Sequence, residues 1–315
     1  MTKPLVTVFG GSGFLGRNAV RALAKAGHRI RVAVRYPNLA NYLLPMGAVG
    51  QIQIAKTDVR DDAQVAAALR GADAAVNLVG ILYNGGGQNF DGVHVEAAER
   101  MARAAKAAGA QRFVHVSSTG VDEDSDSNYA RTKAQGEARV RAEFPSATIL
   151  RPSLVFGPED NFFNRFAGLA RISPVLPLIG GGHTKFQPVF VGDVADAILR
   201  GVEDSAIAGK IYELGGPGIY TFKQLMQIVL RETGRTRLLV PLPFFAAALQ
   251  SYVLGLLPNP LLTPDQVRLL KTDSVVSPGA LTLADLGIQP DSLEAIVPSY
   301  LWRFRAKGQF EEIAP

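Results

Sequence analysis

Tyr129 and Lys133 have the residue types and the spacing for acid–base chemistry. They lie four residues apart, so on a helix they share one face. A lysine ammonium beside a tyrosine hydroxyl favours the phenolate and lowers the pKa of the tyrosine. Such a tyrosine can act as a general acid–base while a redox cofactor transfers a hydride, and Lys133 can also hold a ribose of that cofactor. Upstream hydroxyls at Ser118 and Thr119 are candidates to orient a substrate oxygen.

A glycine-rich turn near the N-terminus has the form of a nucleotide-phosphate site. An apolar run at residues 5–9 leads into it, and a helix-compatible stretch at 17–26 follows. Glycine permits a positive φ and close approach of a pyrophosphate, and the first turn of a helix offers free N–H groups to an anion. A glycine motif alone is only a turn, but between a buried strand and a helix it predicts a dinucleotide site. The expected contacts are Gly10, Gly11, Ser12, Gly13, Phe14, Leu15 and Gly16.

The end of the second predicted strand indicates which dinucleotide binds. An acidic residue there would bond a ribose 2′-hydroxyl and favour NAD, but this chain has Arg35. A guanidinium suits a 2′-phosphate, and Arg17, one step after the last motif glycine, can face the same group. We therefore expect NADP(H) rather than NAD(H). The alternative is that Arg35 is only a solvated charge at the end of a strand.

Further cofactor contacts are expected where the other strands end, because ligands of parallel sheets bind at the carboxyl ends of the strands. Asp58 follows the third predicted strand and, with Val59, covers the adenine or else caps the next turn. Asn77 and Gly80 stand at the end of the fourth, where Gly80 lets the backbone approach the adenine ribose. Ser117 follows the fifth.

Strand-like and helix-like segments alternate over the first half of the chain. The predicted strands are residues 5–9, 28–35, 51–57, 74–79, 112–116 and 147–150. The predicted helices begin at about residues 17, 61, 93 and 128. This alternation predicts an α/β fold with a doubly wound, parallel Rossmann-type sheet.

The regular alternation of strand-like and helix-like segments ends after residue 157. Pro and Gly are frequent between residues 173 and 188, which indicates a loop that could cover a cleft. A helix at 193–202, a strand at 210–214 and a helix at 221–233 follow. We expect a dinucleotide-binding domain over residues 1–157 and a smaller α/β lobe over 158–315 that packs on it and docks on a partner or membrane.

Residues 238–257 are unusually apolar and are about long enough to cross a bilayer. Pro241, Pro243, Gln250 and Ser251 argue against a transmembrane helix. The plainest interpretation is a buried or half-buried helix. The alternative is a surface helix that docks on a membrane or on an apolar partner.

Composition excludes several classes of function. The 315 residues contain no cysteine, which excludes disulfides, thiolate zinc sites and a cysteine nucleophile. The four histidines lack ligand spacing, so we expect no metal. A net charge of +5 suits a phosphate-rich ligand, an acidic partner or an anionic membrane, whereas nucleic acid is disfavoured because no Lys/Arg run is interleaved with aromatics. The first strand begins by about residue 4, which leaves no room for a targeting peptide. We expect either a bacterial protein of the cytosolic side or a chain whose presequence has been removed.

The glycine turn, the Tyr129/Lys133 pair and the segment 151–158 together resemble the extended and atypical short-chain dehydrogenase/reductase superfamily. This resemblance implies that Tyr129, Lys133 and Thr119 are the catalytic residues. It also implies that Pro152 and Val155 lie beside the nicotinamide. The stretch between Thr119 and Tyr129 is shorter and more acidic than in typical sugar-nucleotide epimerases, which argues against their usual substrate pocket.

A more specific resemblance is carried by segments outside the cofactor motifs. Residues 43–51, 58–61, 156–160, 163–167, 184–189 and 285–288 resemble the nucleotide-binding accessory subunit family of respiratory complex I. This resemblance implies tightly bound NADPH with a mainly structural role, and complex I subunits as partners at the junction of the peripheral arm and the membrane. For a bacterial relative it implies a peripheral location on the cytoplasmic face of the inner membrane, equivalent to the mitochondrial matrix side.

Two functions therefore compete. In the first, the chain is an accessory subunit whose NADPH stabilises the fold and an interface, and residues 238–257 contact the membrane surface. In the second, the chain is an active NADP-dependent reductase or epimerase that uses Tyr129 and Lys133. The apolar segment and the basic charge favour the first, and the intact Tyr/Lys pair keeps the second open.

Overall fold

The computed structural model describes residues 3–257, 260 and 262–310. The strands within these residues are β1 (Leu5–Phe9), β2 (Arg29–Val34), β3 (Ile52–Lys56), β4 (Ala74–Asn77), β5 (Arg112–Val116), β6 (Thr148–Pro152), β7 (Val155–Phe156), β8 (Val175–Ile179), β9 (Lys185–Phe186), β10 (Val189–Phe190), β11 (Ile211–Leu214), β12 (Tyr220–Thr221) and β13 (Leu238–Leu242). The helices are α1 (Phe14–Lys25), α2 (Asp62–Leu69), α3 (Ala97–Ala107), α4 (Asn128–Glu143), α5 (Phe163–Ile172), α6 (Val191–Glu203), α7 (Phe222–Glu232), α8 (Phe244–Leu254), α9 (Pro264–Leu269), α10 (Leu293–Ile296) and α11 (Pro298–Leu301).

A seven-stranded parallel sheet dominates the described residues, in the order β3-β2-β1-β4-β5-β6-β11. The strand order reverses at β1, where Val8 is paired with Val32 on one side and with Val76 on the other. All three valines are fully buried, as the unbroken apolar runs require. The predicted doubly wound parallel sheet is confirmed.

Three local features differ from the sequence prediction. Residues Pro37–Met46 form a 3-10 helix after β2 that was not predicted. The helix predicted to start at residue 93 is preceded by a π-helical turn at Asp91–Glu96, and α3 begins only at Ala97. The predicted loop at 173–188 is wrong, because it contains β8, which pairs in parallel with β13, and the short strand β9.

The chain forms two compact units. The first comprises Met1–Pro152, Gly192–Leu214 and Pro278–Ile288, and the second comprises Ser153–Val191, Gly215–Ser277 and Gln289–Pro315. The sequence placed a single boundary at residue 157. The first unit also takes in later segments because β11 pairs with β6 and a bridge joins Tyr212 to Leu281.

The second unit has its own aromatic core. Its rings pack mostly edge to face, and they are Phe156, Phe162, Phe163, Phe166, Phe186 and Phe222. The Tyr300 hydroxyl donates to the Asp160 carboxylate at 2.7 Å, which satisfies both buried groups.

The plainest interpretation of segment 238–257, a buried or half-buried helix, holds for part of it only: the helical part is half-buried, and the rest is not helical. Its first residues are strand β13, and only Phe244–Leu254 are helical, as α8. Ala247 and Ser251 are fully buried, whereas Phe245 and Leu249 are 79% and 74% exposed. Within the described residues, no helix has the length and apolar character needed to cross a bilayer.

Candidate nucleotide and acid–base site

The glycine turn closes tightly around its own backbone. Gly10 has φ of +77°, and a Cβ there would lie 3.1 Å from the carbonyl carbon of Leu78. A Cβ on Gly16 would lie 2.2 Å from the Gly10 carbonyl oxygen, so only glycine lets α1 start against the turn. Gly13 caps α1 without any side-chain hydrogen bond. The first N–H groups of α1 therefore remain available to phosphate oxygens.

Two arginines near this turn are held by aromatic rings. The Arg17 guanidinium lies 5.0 Å from the ring centre of Tyr42, whose hydroxyl donates to the Ser12 carbonyl at 2.7 Å. The Arg35 guanidinium lies 5.7 Å from the ring centre of Tyr36. Stacking of this kind orders a cation near the site. The Arg17 Nε–H also donates to the Gly13 carbonyl at 3.4 Å.

A cavity of about 480 Å³ opens at the carboxyl ends of β2 and β3. Two of its lining side chains are cationic and none is acidic within the described part of the chain. The lining residues are Arg35, Tyr36, Pro37, Asn38, Leu39 and Lys56. Lys56 was not predicted, because its role depends on the pairing that brings the end of β3 beside the end of β2.

Asp58 is engaged by Arg60. Its carboxylate accepts from the Arg60 backbone N–H and from the guanidinium, at distances of 2.7–3.2 Å. The hydrogen bonds from Arg60 lower the pKa of Asp58 to about 2, so it is ionised at neutral pH. Asp58 thus orders the turn that carries buried Val59, and Asp61 is the residue that caps α2. A contact between Asp58 and adenine stays a prediction.

The Asn77 side chain bonds to neighbouring residues at the carboxyl ends of the strands and does not point into solvent. It is buried, its amide donates to His115 Nδ1 at 3.0 Å, and its oxygen accepts from the Val79 N–H at 3.0 Å. Ser117, beyond the end of β5, is also buried, but its hydroxyl has no hydrogen-bond partner among the described residues. Buried hydroxyls normally have a hydrogen-bond partner, so the Ser117 hydroxyl is suited to bind a polar group of a ligand at the carboxyl end of the sheet. Gly80 is exposed at the end of the same sheet.

Lys133 and Tyr129 both lie on α4, as predicted; Lys133 is buried and Tyr129 is half-buried. The Lys133 ammonium donates to the Val116 carbonyl at 2.7 Å, and burial lowers its pKa to about 8 while Glu137 opposes the shift. Burial raises the pKa of Tyr129, and a hydrogen bond with Ser118 opposes that rise. The expected lowering of the tyrosine pKa by the lysine is therefore not seen, because the ammonium is directed to the end of β5.

Ionic and backbone bonds fix α4 and the end of β6. Arg151 on β6 donates to Glu137 on α4 at 2.7 Å and to Glu213 on β11 at 3.5 Å. The Thr119 N–H donates to the Pro152 carbonyl at 3.0 Å, which brings these two predicted residues together. Val155, the other predicted neighbour of the nicotinamide, belongs to the second unit.

Three of the four histidines are buried, namely His28, His94 and His115. Among the described residues no cluster of three or more His, Asp or Glu side chains could hold a metal ion. His94 is the one with bonds to two parts of the site, since it contacts both Ile81 after β4 and Thr132 on α4. No sequence pattern indicated this role, because it depends on a π-helical turn and on contacts distant along the chain.

Known proteins resemble this chain over most of its length. The NAD dependent epimerase/dehydratase family matches residues 6–215. Subunit 9 of the mitochondrial NADH dehydrogenase (ubiquinone) 1 alpha subcomplex from Arabidopsis thaliana is 37% identical over 316 residues, covering 96% of this chain and 79% of that protein. A ceramide reductase from Caulobacter vibrioides is 37% identical over 175 residues, covering 56% of this chain and 54% of that enzyme.

Among solved structures, an NADPH-dependent quinone oxidoreductase from Escherichia coli, complexed with NADPH, has a similar fold. Its TM-score is 0.76 at 22% identity, covering 94% of this chain and 99% of that one. At this level of identity the similarity establishes the fold alone.

Proposed function

Because this chain belongs to the NAD dependent epimerase/dehydratase family and, within it, to the family of subunit 9 of the NADH dehydrogenase (ubiquinone) 1 alpha subcomplex, we propose that it is an NADP(H)-binding accessory subunit of respiratory complex I. The observation that carries the proposal is the 37% identity to the Arabidopsis subunit over 96% of this chain. Identity of that extent includes segments that have no part in a cofactor motif.

The preference for NADP(H) over NAD(H) is supported by charge at the end of β2. Arg35 stands where an NAD-selective chain would carry a carboxylate, and Lys56 lines the same cavity. Arg17 lies beside the glycine turn, held on Tyr42. The nearest strand-end carboxylate, Asp58, is already bonded to Arg60. We propose that these cations bind the 2′-phosphate and that the glycine turn binds the pyrophosphate.

We assign the nucleotide a mainly structural role. Lys133 is a buried cation with one hydrogen bond to Val116, and no second acceptor for it is present in the described part of the chain. Ribose hydroxyls would satisfy its remaining donors and the buried Ser117 hydroxyl. A ligand that binds only the folded state adds about 4 kcal/mol to stability at a thousandfold excess over its Kd. NADPH binding would thus order the carboxyl edge of the sheet in the first unit.

Helix α8 is the part of the second unit that we propose touches the membrane surface. Four large apolar side chains form one exposed stripe along this helix: Phe245, Leu249, Tyr252 and Val253. Leu256, just beyond the helix, is exposed as well. The helix carries no charge. Helix α9 packs against α8, and the exposed side chains of Arg268 and Lys271 lie at its end. Asp265 is the only acidic residue in the sequence between 233 and 272. An apolar stripe flanked by cations suits an anionic lipid surface, here the cytoplasmic face of a bacterial inner membrane.

A second candidate function is an NADP-dependent reductase. The hydrogen bond between Ser118 and Tyr129 favours it, since it places the hydroxyl of a half-buried tyrosine beside a serine, where a substrate oxygen could bind. The similarity to a ceramide reductase over 56% of this chain is consistent with such chemistry. When bound, NADPH would supply the hydride, and the part of this chain would be to orient the substrate oxygen and hold the proton on Tyr129.

The two candidates are separated by isolating the tagged chain from its own membranes in mild detergent. The accessory-subunit proposal predicts that it co-purifies with NADH dehydrogenase activity and that Tyr129→Phe leaves assembly and activity unchanged. Recovery of the chain without any respiratory subunit contradicts that proposal. Oxidation of NADPH by the isolated chain with a carbonyl substrate, abolished in Tyr129→Phe, would favour the reductase.

A further inference from the structure

His94 occupies an unusual position between two parts of the site. It lies in the π-helical turn Asp91–Glu96 and is only 2% exposed. Its Nε2 accepts from the Ile81 N–H at 3.1 Å, and its Nδ1 lies 3.0 Å from the Thr132 hydroxyl. Ile81 follows Gly80, where we place the approach to the nucleotide ribose, and Thr132 directly precedes Lys133 on α4. The His94 imidazole therefore connects the backbone at Ile81, beside the proposed nucleotide site, to helix α4, which carries Tyr129 and Lys133.

The hydrogen bonds define the protonation state of this imidazole. A backbone N–H can only donate, so Nε2 carries no proton and Nδ1 carries one. Nδ1 then donates to Thr132, whose hydroxyl in turn donates to the Asn128 carbonyl at 2.7 Å. Burial lowers the pKa of His94 to about 3, and the charge of Lys133 acts in the same direction. The neutral Nδ1–H tautomer is therefore the stable form at neutral pH.

The same ring also packs against Tyr129. The two ring planes are perpendicular, with centroids 5.4 Å apart, and Phe90 contacts both rings. The His94 carbonyl lies against Gly136 on α4, where a Cβ would come within 2.0 Å of the carbonyl oxygen. The turn and α4 are thus in direct contact, and the Tyr129 and His94 rings meet edge to face.

We propose that His94 is a positioning residue that links the Gly80–Ile81 backbone to the Tyr129 ring, so that binding of the adenosine half of the nucleotide is transmitted to the acid–base side chain. This inference rests on the proposed NADP(H) site. His94 itself would touch neither hydride nor substrate; it acts through Ile81 on one side and through Thr132 and Tyr129 on the other.

The test uses adenosine 2′,5′-bisphosphate, which carries the 2′-phosphate but lacks the nicotinamide half. The full chain is labelled with 3-fluorotyrosine, and the Tyr129 signal is assigned by its loss in Tyr129→Phe. We expect this ligand to shift the Tyr129 fluorine signal in the wild type. His94→Phe keeps a flat ring but loses both hydrogen bonds, so we expect about tenfold weaker binding and a Tyr129 signal that no longer responds at saturation. His94→Gln restores an acceptor and a donor and should recover the response.

A measurement on the wild type alone guards against a variant that fails to fold. With nitrogen-15-labelled histidine, the His94 signals should show the Nδ1–H tautomer and should move when the bisphosphate binds. The inference is overturned if the ligand binds while the His94 and Tyr129 signals stay unmoved, or if His94→Phe responds like the wild type. If neither the bisphosphate nor NADPH binds the wild type, the proposed nucleotide site itself fails, and the inference with it.

Discussion

The ammonium of Lys133 donates a 2.7 Å hydrogen bond to the carbonyl of Val116, and the lysine is only 5% exposed. This contact fixes α4 against the end of β5. The lysine is also a buried charge with a single hydrogen-bond acceptor among the described residues. Burying such a charge lowers the stability of the folded protein unless further acceptors surround it. A nucleotide that supplied ribose hydroxyls there would relieve an unfavourable feature of the free protein.

Removing this buried charge should stabilise the nucleotide-free protein. The pKa of Lys133 is lowered from its usual 10.5 to about 8, which corresponds to about 3 kcal/mol, offset by about 1–2 kcal/mol for the Val116 carbonyl that loses its donor. We therefore expect Lys133→Met to raise the free energy of unfolding at pH 7 by about 1–2 kcal/mol. It should also abolish stabilisation by NADPH.

The pH dependence of the unfolding free energy is a separate test of whether buried Lys133 destabilises the folded protein. Between pH 8 and 10.5 the unfolded chain binds more protons than the folded chain, so wild-type stability should rise with pH there. Lys133→Met should lack that rise, whereas Lys106→Met, at an exposed position on α3, should keep it. Denaturant unfolding at several pH values measures both, and parallel curves for wild type and Lys133→Met would contradict the prediction.

His94 should make the fold sensitive to mild acid. Its pKa is lowered from 6.5 to about 3, so between those pH values the unfolded chain binds more protons and stability falls as pH falls. Between pH 7 and pH 5 its share of the loss is about 2 kcal/mol. Buried His115, whose pKa is also lowered by burial, acts in the same direction.

His94→Phe should remove the part of the fall in unfolding free energy between pH 7 and pH 5 that is due to His94. His183→Gln, at an exposed position, should leave that fall unchanged. Unfolding free energies at pH 7 and pH 5 give the comparison. An acid loss of the same size in His94→Phe and in the wild type would show that the imidazole is not buried in neutral form.

Arg35 should discriminate between the two pyridine nucleotides. Charge-assisted bonds to a 2′-phosphate contribute about 1.5–3 kcal/mol each, so Arg35→Ala should weaken NADPH binding about tenfold to a hundredfold and leave NADH binding unchanged. Arg29→Ala removes an exposed arginine from the other end of the same strand and should affect neither. Titration of both nucleotides decides the matter, and equal loss of both or of neither would refute the assignment.

The apolar stripe on α8 should bind lipid. Leu249→Glu places a charge in the stripe and should sharply reduce co-sedimentation with vesicles that contain phosphatidylglycerol, without lowering thermal stability. Leu39→Glu is a matched control, because Leu39 and Leu249 are both 74% exposed but Leu39 lies in the first unit. Equal vesicle binding by Leu249→Glu and the wild type would exclude a lipid contact through this helix.

Local features of the chain could be predicted from sequence, and features that depend on distant contacts could not. The turn from Gly10 to Gly16 was predictable because its conformation is set by adjacent residues. The pairing of Tyr129 with Lys133 on α4 was predictable from helical spacing. The bond from Lys133 to Val116 was not, since it spans 17 residues and depends on how α4 packs on β5.

Two features could not be settled from the sequence. The apolar residues of 238–257 left a buried or half-buried helix and a docking surface helix both open, because hydropathy does not show whether an apolar side chain such as Leu249 packs in the core or lies at the surface. The joint bonds of His94 to Ile81 and Thr132 required a π-helical turn, which has no signal in hydrophobic periodicity.

Whether this chain holds NADP(H) within complex I can be measured as the nucleotide content of the complex isolated with it from its native membranes. After acid quenching and chromatography, fractions that carry NADH dehydrogenase activity should contain about one NADP(H) per copy of the chain. Little or no NADP(H) in those fractions, or a chain recovered only apart from them, would contradict the proposed function.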